Sequence, residues 1–401
     1  MKPEKSSIRH CPICGYEKAE ILHTQNFLLT ENHPLPKNYD VVCCKKCGFV
    51  YADTPASQNV YDYFYTEWSK YEDEKTSTGG GNSVYDAERL YETALTISER
   101  FPEKNISILD IGCGNGGLLE KLKNFGFTDL TGYDPSLACV KHMNSKNIKA
   151  IQGSLFDISS LVNKDFDLII LSHVMEHICD VEKAKTSISN RIKDKGYLYI
   201  ETPDASMYSN NFILPYYYFD TEHINHFDEH FHEMLFSNAF ILKEYKKKNI
   251  TVDCENHYPV VFSILQKNKD KLIYHKNGQY TVVSKSVNEF IEKSITYSEF
   301  NIINKLNRTQ EPIAVFGAGN FTMRLLGNTN LANCNIRFFI DNDIKKHGRQ
   351  LLGKKIEDIS ILNNFSGTVL LCVALHLSEI KEQIVKLGYK NNLVEIKYNH
   401  V

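Results

Sequence analysis

Residues 106–117 read ISILDIGCGNGG, and they constrain the fold more than any other stretch of this 401-residue chain. The first six residues are a short apolar, β-branched run, the pattern of a strand buried on both faces of a parallel sheet. GCGNGG then turns the chain, and LLEKLKNFGF follows with Leu118, Leu119 and Leu122 at helical spacing. A strand, a glycine-rich turn and a helix place backbone N–H groups around a ligand. Gly112 and Gly114 allow close approach because neither carries a Cβ. In the following DLTGYDPS, Asp134 ends a second strand 20 residues after Gly114. A carboxylate there accepts the ribose hydroxyls of an adenosine.

The order of the next segments is consistent with one sheet. IKAIQGS reads as a third strand, FDLIILSH as a fourth, VEKAKTSISNRIK as a helix, GYLYIETPDA as a fifth strand, FILKEYKKK as a sixth and YPVVFSILQK as a seventh. Strands alternating with helices predict an α/β fold with a mostly parallel sheet. Ligands in such sheets bind at the carboxyl ends of the strands.

Asp110, Gly112, Gly114 and Gly116 fill every position of D/E-x-G-x-G-x-G. The segment resembles the first motif of the class I S-adenosylmethionine-dependent methyltransferases, whose core is Rossmann-like. The resemblance implies S-adenosylmethionine as cofactor, held by Asp110, Gly112, Gly114, Gly116 and Asp134, with Ser154 and Leu155 near the adenine and Ser172 beside the methyl donor. A nicotinamide dehydrogenase is the competing reading, since Gly112, Gly114 and Gly117 also satisfy G-x-G-x-x-G. Asp110 argues against it, because an acid there faces a cationic sulfonium ligand but repels a pyrophosphate.

Cys11-x-x-Cys14-Gly and Cys44-x-x-Cys47-Gly form two similar knuckles. Four thiolates in two such pairs suit a tetrahedral, structural Zn2+ with no position left for water. Cys43 is a fifth thiol, but Cys44 keeps the two-residue spacing. The other cysteines (Cys113, Cys139, Cys179, Cys254, Cys334, Cys372) read as buried small hydrophobes. The N-terminus, MKPEKSSIRH, lacks the apolar core of a signal peptide, and no apolar run approaches the roughly 18 residues of a membrane helix. The expected compartment is the cytoplasm, with no membrane partner. A net charge of −3 gives no electrostatic case for nucleic acid. Lys246-Lys247-Lys248 reads as a solvated strand end.

Two histidine clusters remain. LSHVMEHICD contains H-x-x-E-H, the pattern of one zinc-peptidase class, but it starts where a strand ends, so His173 and His177 need not share a helical face. His177 is the first candidate for the base, because imidazole titrates near neutral pH. The second cluster, residues 216–235, carries Glu222-His223, in which a neighbouring carboxylate raises imidazole basicity if the two touch. A metal held by His226 and His230 is an alternative there, and His230 and His232 are otherwise expected to be exposed on a helix starting near Asp228. NVYDYFYTEWSKYEDEKTSTGGGNS reads as an aromatic helix and a loop ending in Gly79–Gly81, a lid or a plain linker.

Near the C-terminus, IAVFGAGNFTMRLL and IRFFIDND repeat strand, glycine turn, helix and strand, with Asp341 22 residues after Gly319 and Thr322 in place of a third glycine. The whole layout resembles the zinc-containing deoxysugar C-methyltransferases, which act on nucleotide-linked sugars. That resemblance implies acid/base roles for His177, Glu222 and His223. It departs at Asp220, where that family carries Tyr. DTEHINHF looks equally like the D-x-E-H-x-x-x-F segment of polysaccharide-cluster methyltransferases, whose acceptors include oxygen and nitrogen.

The expectation is therefore a zinc-binding domain over 1–60, a helical linker or lid over 61–100, a methyltransferase core over 101–267, a helical connector over 268–310 and a half-Rossmann-like α/β domain over 311–401. The expected reaction is methylation of a nucleotide-sugar substrate in surface glycan biosynthesis. A non-catalytic scaffold is the rival class. Oligomeric state is not readable from the sequence.

Overall fold

The computed structural model describes residues 4–68, 80–81, 83–161, 163–268, 279–297 and 300–396. Of the expected linker or lid over 61–100, residues 69–79 and 82 lie outside the described residues.

Three sheets organise the chain. The first joins β1 (Glu4–Ser6), β2 (Lys18–Asn26), β3 (Asn38–Cys44) and β4 (Val50–Asp53) in sequence order and takes β10 (Asn225–His226) as its last strand. The second contains β5 (Ser107–Ile111), β6 (Asp129–Asp134), β7 (Lys149–Gln152), β8 (Phe166–Ser172), β9 (Ile192–Pro203), β11 (Phe240–Thr251) and β12 (His257–Lys267), in the order β11-β12-β9-β8-β5-β6-β7. Strands β5 to β9 are parallel, and β12 and β11 add by antiparallel pairing. The third contains β13 (Ile313–Phe316), β14 (Ile336–Ile340), β15 (Gln350–Leu351), β16 (Lys354–Glu357), β17 (Thr368–Leu371) and β18 (Leu393–Glu395), in the order β15-β16-β14-β13-β17-β18.

The central sheet explains where a ligand belongs. Every residue of β5 is buried, as its unbroken apolar run requires. From β5 the chain steps outward to β6 and β7, then returns to place β8 on the other side of β5. The crevice at the carboxyl ends of β5 and β8 is thus the topological switch point. The helices are α1 (Gln58–Glu67), α2 (Val84–Arg100), α3 (Gly117–Asn124), α4 (Leu137–Ser145), α5 (Ile158–Leu161), α6 (Val181–Ser189), α7 (Glu229–Phe236), α8 (Val282–Tyr297), α9 (Asn301–Thr309), α10 (Asn320–Asn328) and α11 (Leu377–Lys386). Their starts follow side-chain chemistry: Ser83, Ser136, Asp180 and Asp228 each accept a hydrogen bond from the first turn of α2, α4, α6 and α7. Among the described residues no helix is long and apolar enough to cross a membrane.

Some local expectations change. Lys246–Lys248 lie inside β11, where Lys247 meets Glu229 at 2.8 Å and Lys248 meets the buried Glu201 at 3.0 Å. The Lys247 and Lys248 ammonium groups thus reach carboxylates, while Lys246 is exposed. His230 and His232 are buried, because α7 packs on β11 and β12. His232 lies 3.0 Å from both Thr202 Oγ1 and Ser263 Oγ, and His230 stacks on Tyr280. Cys254 is exposed and Cys179 half-buried, unlike the four other scattered cysteines.

The N-terminal sheet and the central domain share one apolar core. Phe49 is fully buried, with ring centroids 5.1 Å from Phe227 and 4.9 Å from Phe231. Phe49→Ala should cost about 3–5 kcal/mol. Chemical denaturation should show a lower midpoint for this variant, with the far-UV spectrum retained at low denaturant.

Candidate active site

The turn after β5 is built from three left-handed glycines, Gly112 (φ 71°), Gly114 (φ 50°) and Gly116 (φ 81°). A Cβ on Gly112 would come within 2.7 Å of Val174 Cγ2, and one on Gly116 within 2.6 Å of Met143 Cγ. At Gly114 a Cβ meets nothing within 4 Å, so this backbone borders open space. The Gly114 N–H donates to Asp134 Oδ2 at 2.8 Å, which places Asp134 directly against the turn. The Ser136 N–H donates to Asp134 Oδ1 at 2.9 Å. Ser154 lies next along the same rim, its carbonyl accepting from Tyr133 Oη at 3.0 Å, followed by the buried Leu155. Ser172 ends β8, 3.3 Å from Glu201 Oε1.

Asp110 is buried at the end of β5. Burial and the nearby Asp134 push its carboxyl up to about 8, with Arg89 pulling the other way. A cationic ligand in this crevice would restore the ionised form. The glycine turn, its open face at Gly114, Asp134 and an acid awaiting a cation fit S-adenosylmethionine.

Beyond β8 the chain enters a second set of groups. His173 has φ 56°, a left-handed backbone that costs a non-glycine residue roughly 1–3 kcal/mol and is commonest at functional sites. Its Nδ1 lies 3.2 Å from Glu176 Oε1 and its Nε2 lies 3.5 Å from Glu201 Oε1. The two glutamates offset the burial of His173, and its imidazole titrates above the usual range. His173 is thus tied to two buried acids, and one of them, Glu176, also comes within 4.0 Å of His177 Nε2.

His177 and His223 come together, with ring centroids 4.7 Å apart. Glu176, His177 and His223 each bring a ligand-type atom within 4.8 Å of the others. The carboxylate that converges on the two imidazoles is therefore that of Glu176. Glu222 contributes its backbone carbonyl, 3.2 Å from His177 Nδ1. A carbonyl only accepts, so this contact favours the Nδ1–H tautomer and leaves Nε2 as the basic nitrogen. Burial and the His223 imidazole push His177 down to about 4, so it is neutral at pH 7. Tyr65 Oη from α1 lies 2.8 Å from the same Nδ1. Asp220 Oδ1 accepts from the N–H groups of Glu222 (2.8 Å) and His223 (2.7 Å), shaping the turn that presents His223.

Sequence reasoning passed over Tyr65, Glu176 and Asp220 as parts of this cluster. Glu176 was visible within H-x-x-E-H, and Tyr65 within the aromatic helix. Nothing local links Tyr65 to a histidine 112 positions away. His226 and His230 belong to no metal-capable group among the described residues.

The N-terminal cysteines form a separate centre. Cys11 Sγ lies 3.5 Å from Cys47 Sγ, and Cys14 Sγ lies 3.6 Å from Cys44 Sγ, with all four within 4.8 Å of one another. A zinc tetrahedron with Zn–S bonds of about 2.3 Å needs sulfurs about 3.8 Å apart. The donor set and spacing fit that ion. Gly15 and Gly48 take left-handed φ angles, and their N–H groups turn back to Cys11 O and Cys44 O. In the C-terminal sheet the Ala318 N–H donates to Asp341 Oδ2 at 2.8 Å, repeating the Gly114–Asp134 contact. Lys346 Nζ meets that same oxygen at 2.9 Å.

Asp110 has a measurable consequence. A cation favours its ionised form, so S-adenosylmethionine binding near pH 7 should release protons. Affinity should rise as pH approaches 8 and level off above it, because the carboxyl is then ionised before binding. Calorimetry in buffers of different ionisation enthalpy reads this proton release. Asp110→Asn should abolish it.

Comparison with known proteins agrees with this geometry. Residues 85–239 match the family described as "Methyltransferase domain", and residues 309–395 match "C2185-like, N-terminal". The ubiquinone biosynthesis O-methyltransferase of Rhizobium leguminosarum bv. trifolii is 30% identical over 113 residues, which is 26% of this chain and 44% of that protein. The mitochondrial ubiquinone biosynthesis O-methyltransferase of Bos taurus is 30% identical over 131 residues, covering 30% and 35%. The chain thus spans less than half the length of these relatives. A solved S-adenosylmethionine-dependent methyltransferase from Archaeoglobus fulgidus overlays at 20% identity with a TM-score of 0.35, covering 44% of this chain and 94% of that one. Residues 85–239 carry a methyltransferase domain, an enzyme domain of the methyl-transferring class.

Proposed function

We propose that this chain methylates a nucleotide-activated sugar in surface glycan or related biosynthesis, with S-adenosylmethionine as donor and His177, with His223 beside it, as the acid/base pair. The observation that carries the reading is the meeting of His177 and His223, rings 4.7 Å apart, directly beyond the strand that borders the glycine turn. Asp110, Gly112, Gly114, Gly116, Asp134, Ser154, Leu155 and Ser172 would hold the cofactor. S-adenosylmethionine supplies an electrophilic methyl group on a sulfonium. His177, neutral and with Nε2 free to accept, takes the proton of the acceptor group, and Glu176 stabilises the imidazolium that results. Tyr65 and the Glu222 carbonyl fix the ring from its Nδ1 side. Glu222 enters as a backbone partner of the base.

The layout of paired cysteines, core and C-terminal α/β module supports a sugar acceptor by its resemblance to the deoxysugar enzymes. A second reading is O-methylation, favoured by the relatives named as O-methyltransferases and by Asp220 standing where the C-methylating family carries Tyr. A scaffold that keeps the cofactor fold without catalysis is the reading from another class. In all three, Cys11, Cys14, Cys44 and Cys47 would hold a structural Zn2+.

Cells expressing the chain should accumulate a nucleotide sugar heavier by one methylene unit, read by mass spectrometry. His177→Ala and His223→Ala should each reduce that product by about 10²-fold or more, with S-adenosylmethionine affinity unchanged by calorimetry. Full product from both variants would remove the base assignment. Product unaffected by enlarging Gly112 and Gly114 would favour the scaffold. Purified protein should also carry a stoichiometric zinc ion by elemental analysis, lost in Cys11→Ser and Cys47→Ser.

A further inference from the structure

Arg9 stands two residues before Cys11, far in sequence from both histidines. Its guanidinium nonetheless lies between the segments that carry them. Nε donates to Cys179 O at 3.2 Å. Nη2 donates to Cys179 O at 2.7 Å, to Ile178 O at 3.1 Å and to Asn225 Oδ1 at 2.8 Å. Nη1 donates to Ile224 O at 3.3 Å and reaches Ala52 O at 3.5 Å. Ile178 directly follows His177, and Ile224 directly follows His223.

Asn225 completes the bridge, its Nδ2 donating to Met175 O at 2.8 Å and Ile178 O at 2.7 Å. The Ile224 N–H donates to Glu176 O at 2.8 Å. Arg9 is itself fixed at its backbone, where its N–H donates to Asp53 Oδ1 at 2.7 Å. Its ring-facing contact is Tyr51, 5.7 Å from the guanidinium carbon.

We infer that Arg9 is a positioning residue for the His177–His223 pair, clamping the two histidine-bearing turns together from the cysteine-knuckle domain. The inference deepens the acid/base reading above and rests on it. Only a planar fork with five donors reaches carbonyls of both turns at once, and an ammonium group is a single point. The clamp also assigns work to the knuckle. Cysteines and sheet together hold the backbone of residue 9 in register, and the side chain carries that register to the site.

The test needs no acceptor. Diethyl pyrocarbonate modifies neutral imidazoles, and peptide mass spectrometry reads each histidine separately. In Arg9→Ala the rate at the buried His177 should rise at least fivefold, and the rate at His223 should change at least threefold. The exposed His257 serves as internal reference and should not move. S-adenosylmethionine affinity should stay within twofold, since the glycine turn is untouched. Low millimolar guanidinium should return the Arg9→Ala rates toward those of the unaltered chain, and Arg9→Lys should not restore them. Unchanged rates at His177 and His223 would overturn the clamp. So would a rise at every histidine together with loss of cofactor binding, which marks a general structural role. Should Arg9→Ala not fold, Asn225→Asp removes the paired donors from the same bridge and must give the same selective rise. These outcomes are independent of which acceptor is methylated, so failure of the sugar assignment leaves them readable.

Discussion

Buried backbone outside a ladder must find partners from other elements, and residues 216–228, apart from the two-residue β10, are such a segment. Each polar group left unmet there would cost about 1–3 kcal/mol. The partners come from all three sheets and their helices. Tyr39 of β3 donates to Asp220 O, Arg324 of α10 donates to Tyr217 O and Phe219 O, and Ser294 of α8 accepts from the Tyr216 N–H. Ala205, just after β9, donates to Phe227 O, and Ala52 of β4 donates to Ile224 O. The segment that presents His223 is therefore held only when every module is folded. This is a physical reason for a methyltransferase domain to carry two further modules in one chain.

The switch point divides the chemistry cleanly. On the β5–β6 side the groups are backbone amides and two acids, suited to holding a cationic nucleoside by its ribose and its charged end. On the β8–β9 side the groups are imidazoles and carboxylates linked through His173, which is strained and wedged between Glu176 and Glu201. Glu201 also meets Lys248 of β11, so the antiparallel end of the sheet supplies the counter-charge for the buried acids of the parallel part. A buried ion pair like this is weak evidence for stability. Its role here is geometric, since it fixes where β8 ends and where the His177 turn begins.

The central strands, the glycine turn and Asp134 were legible in the sequence because each is set by local pattern: an apolar run, left-handed φ angles and a fixed offset between neighbouring strands. The paired cysteines were legible for the same reason, since ligand spacing is local. The cluster of Glu176, His177 and His223 was legible only as separate residues. The fold brings residues 65, 176, 177 and 223 together, and no periodicity connects them. The burial of His230 and His232 was missed because an amphipathic helix start says which residues share a face, not whether another element will cover the polar one. Tyr280 covers His230, and it enters from the expected helical connector just ahead of α8, far in sequence from α7.

Asp220 shows how a single departure is absorbed. The deoxysugar enzymes that the chain resembles carry a tyrosine there, which would bring a phenol toward the histidines. Asp220 instead spends Oδ1 on two backbone amides, and His223 and Arg324 hold its carboxyl below the usual range despite burial. A carboxylate locked in this way is a turn-former and an acceptor only, with no proton to give. The phenol that does reach the cluster comes from α1, where Tyr65 lies 2.8 Å from His177 Nδ1. Its hydroxyl meets the nitrogen that also faces the Glu222 carbonyl, so its contact bears on the tautomer of His177. The site thus keeps an imidazole with one committed and one open nitrogen, an arrangement that suits removing a proton from a hydroxyl, an amine or a carbon acid alike.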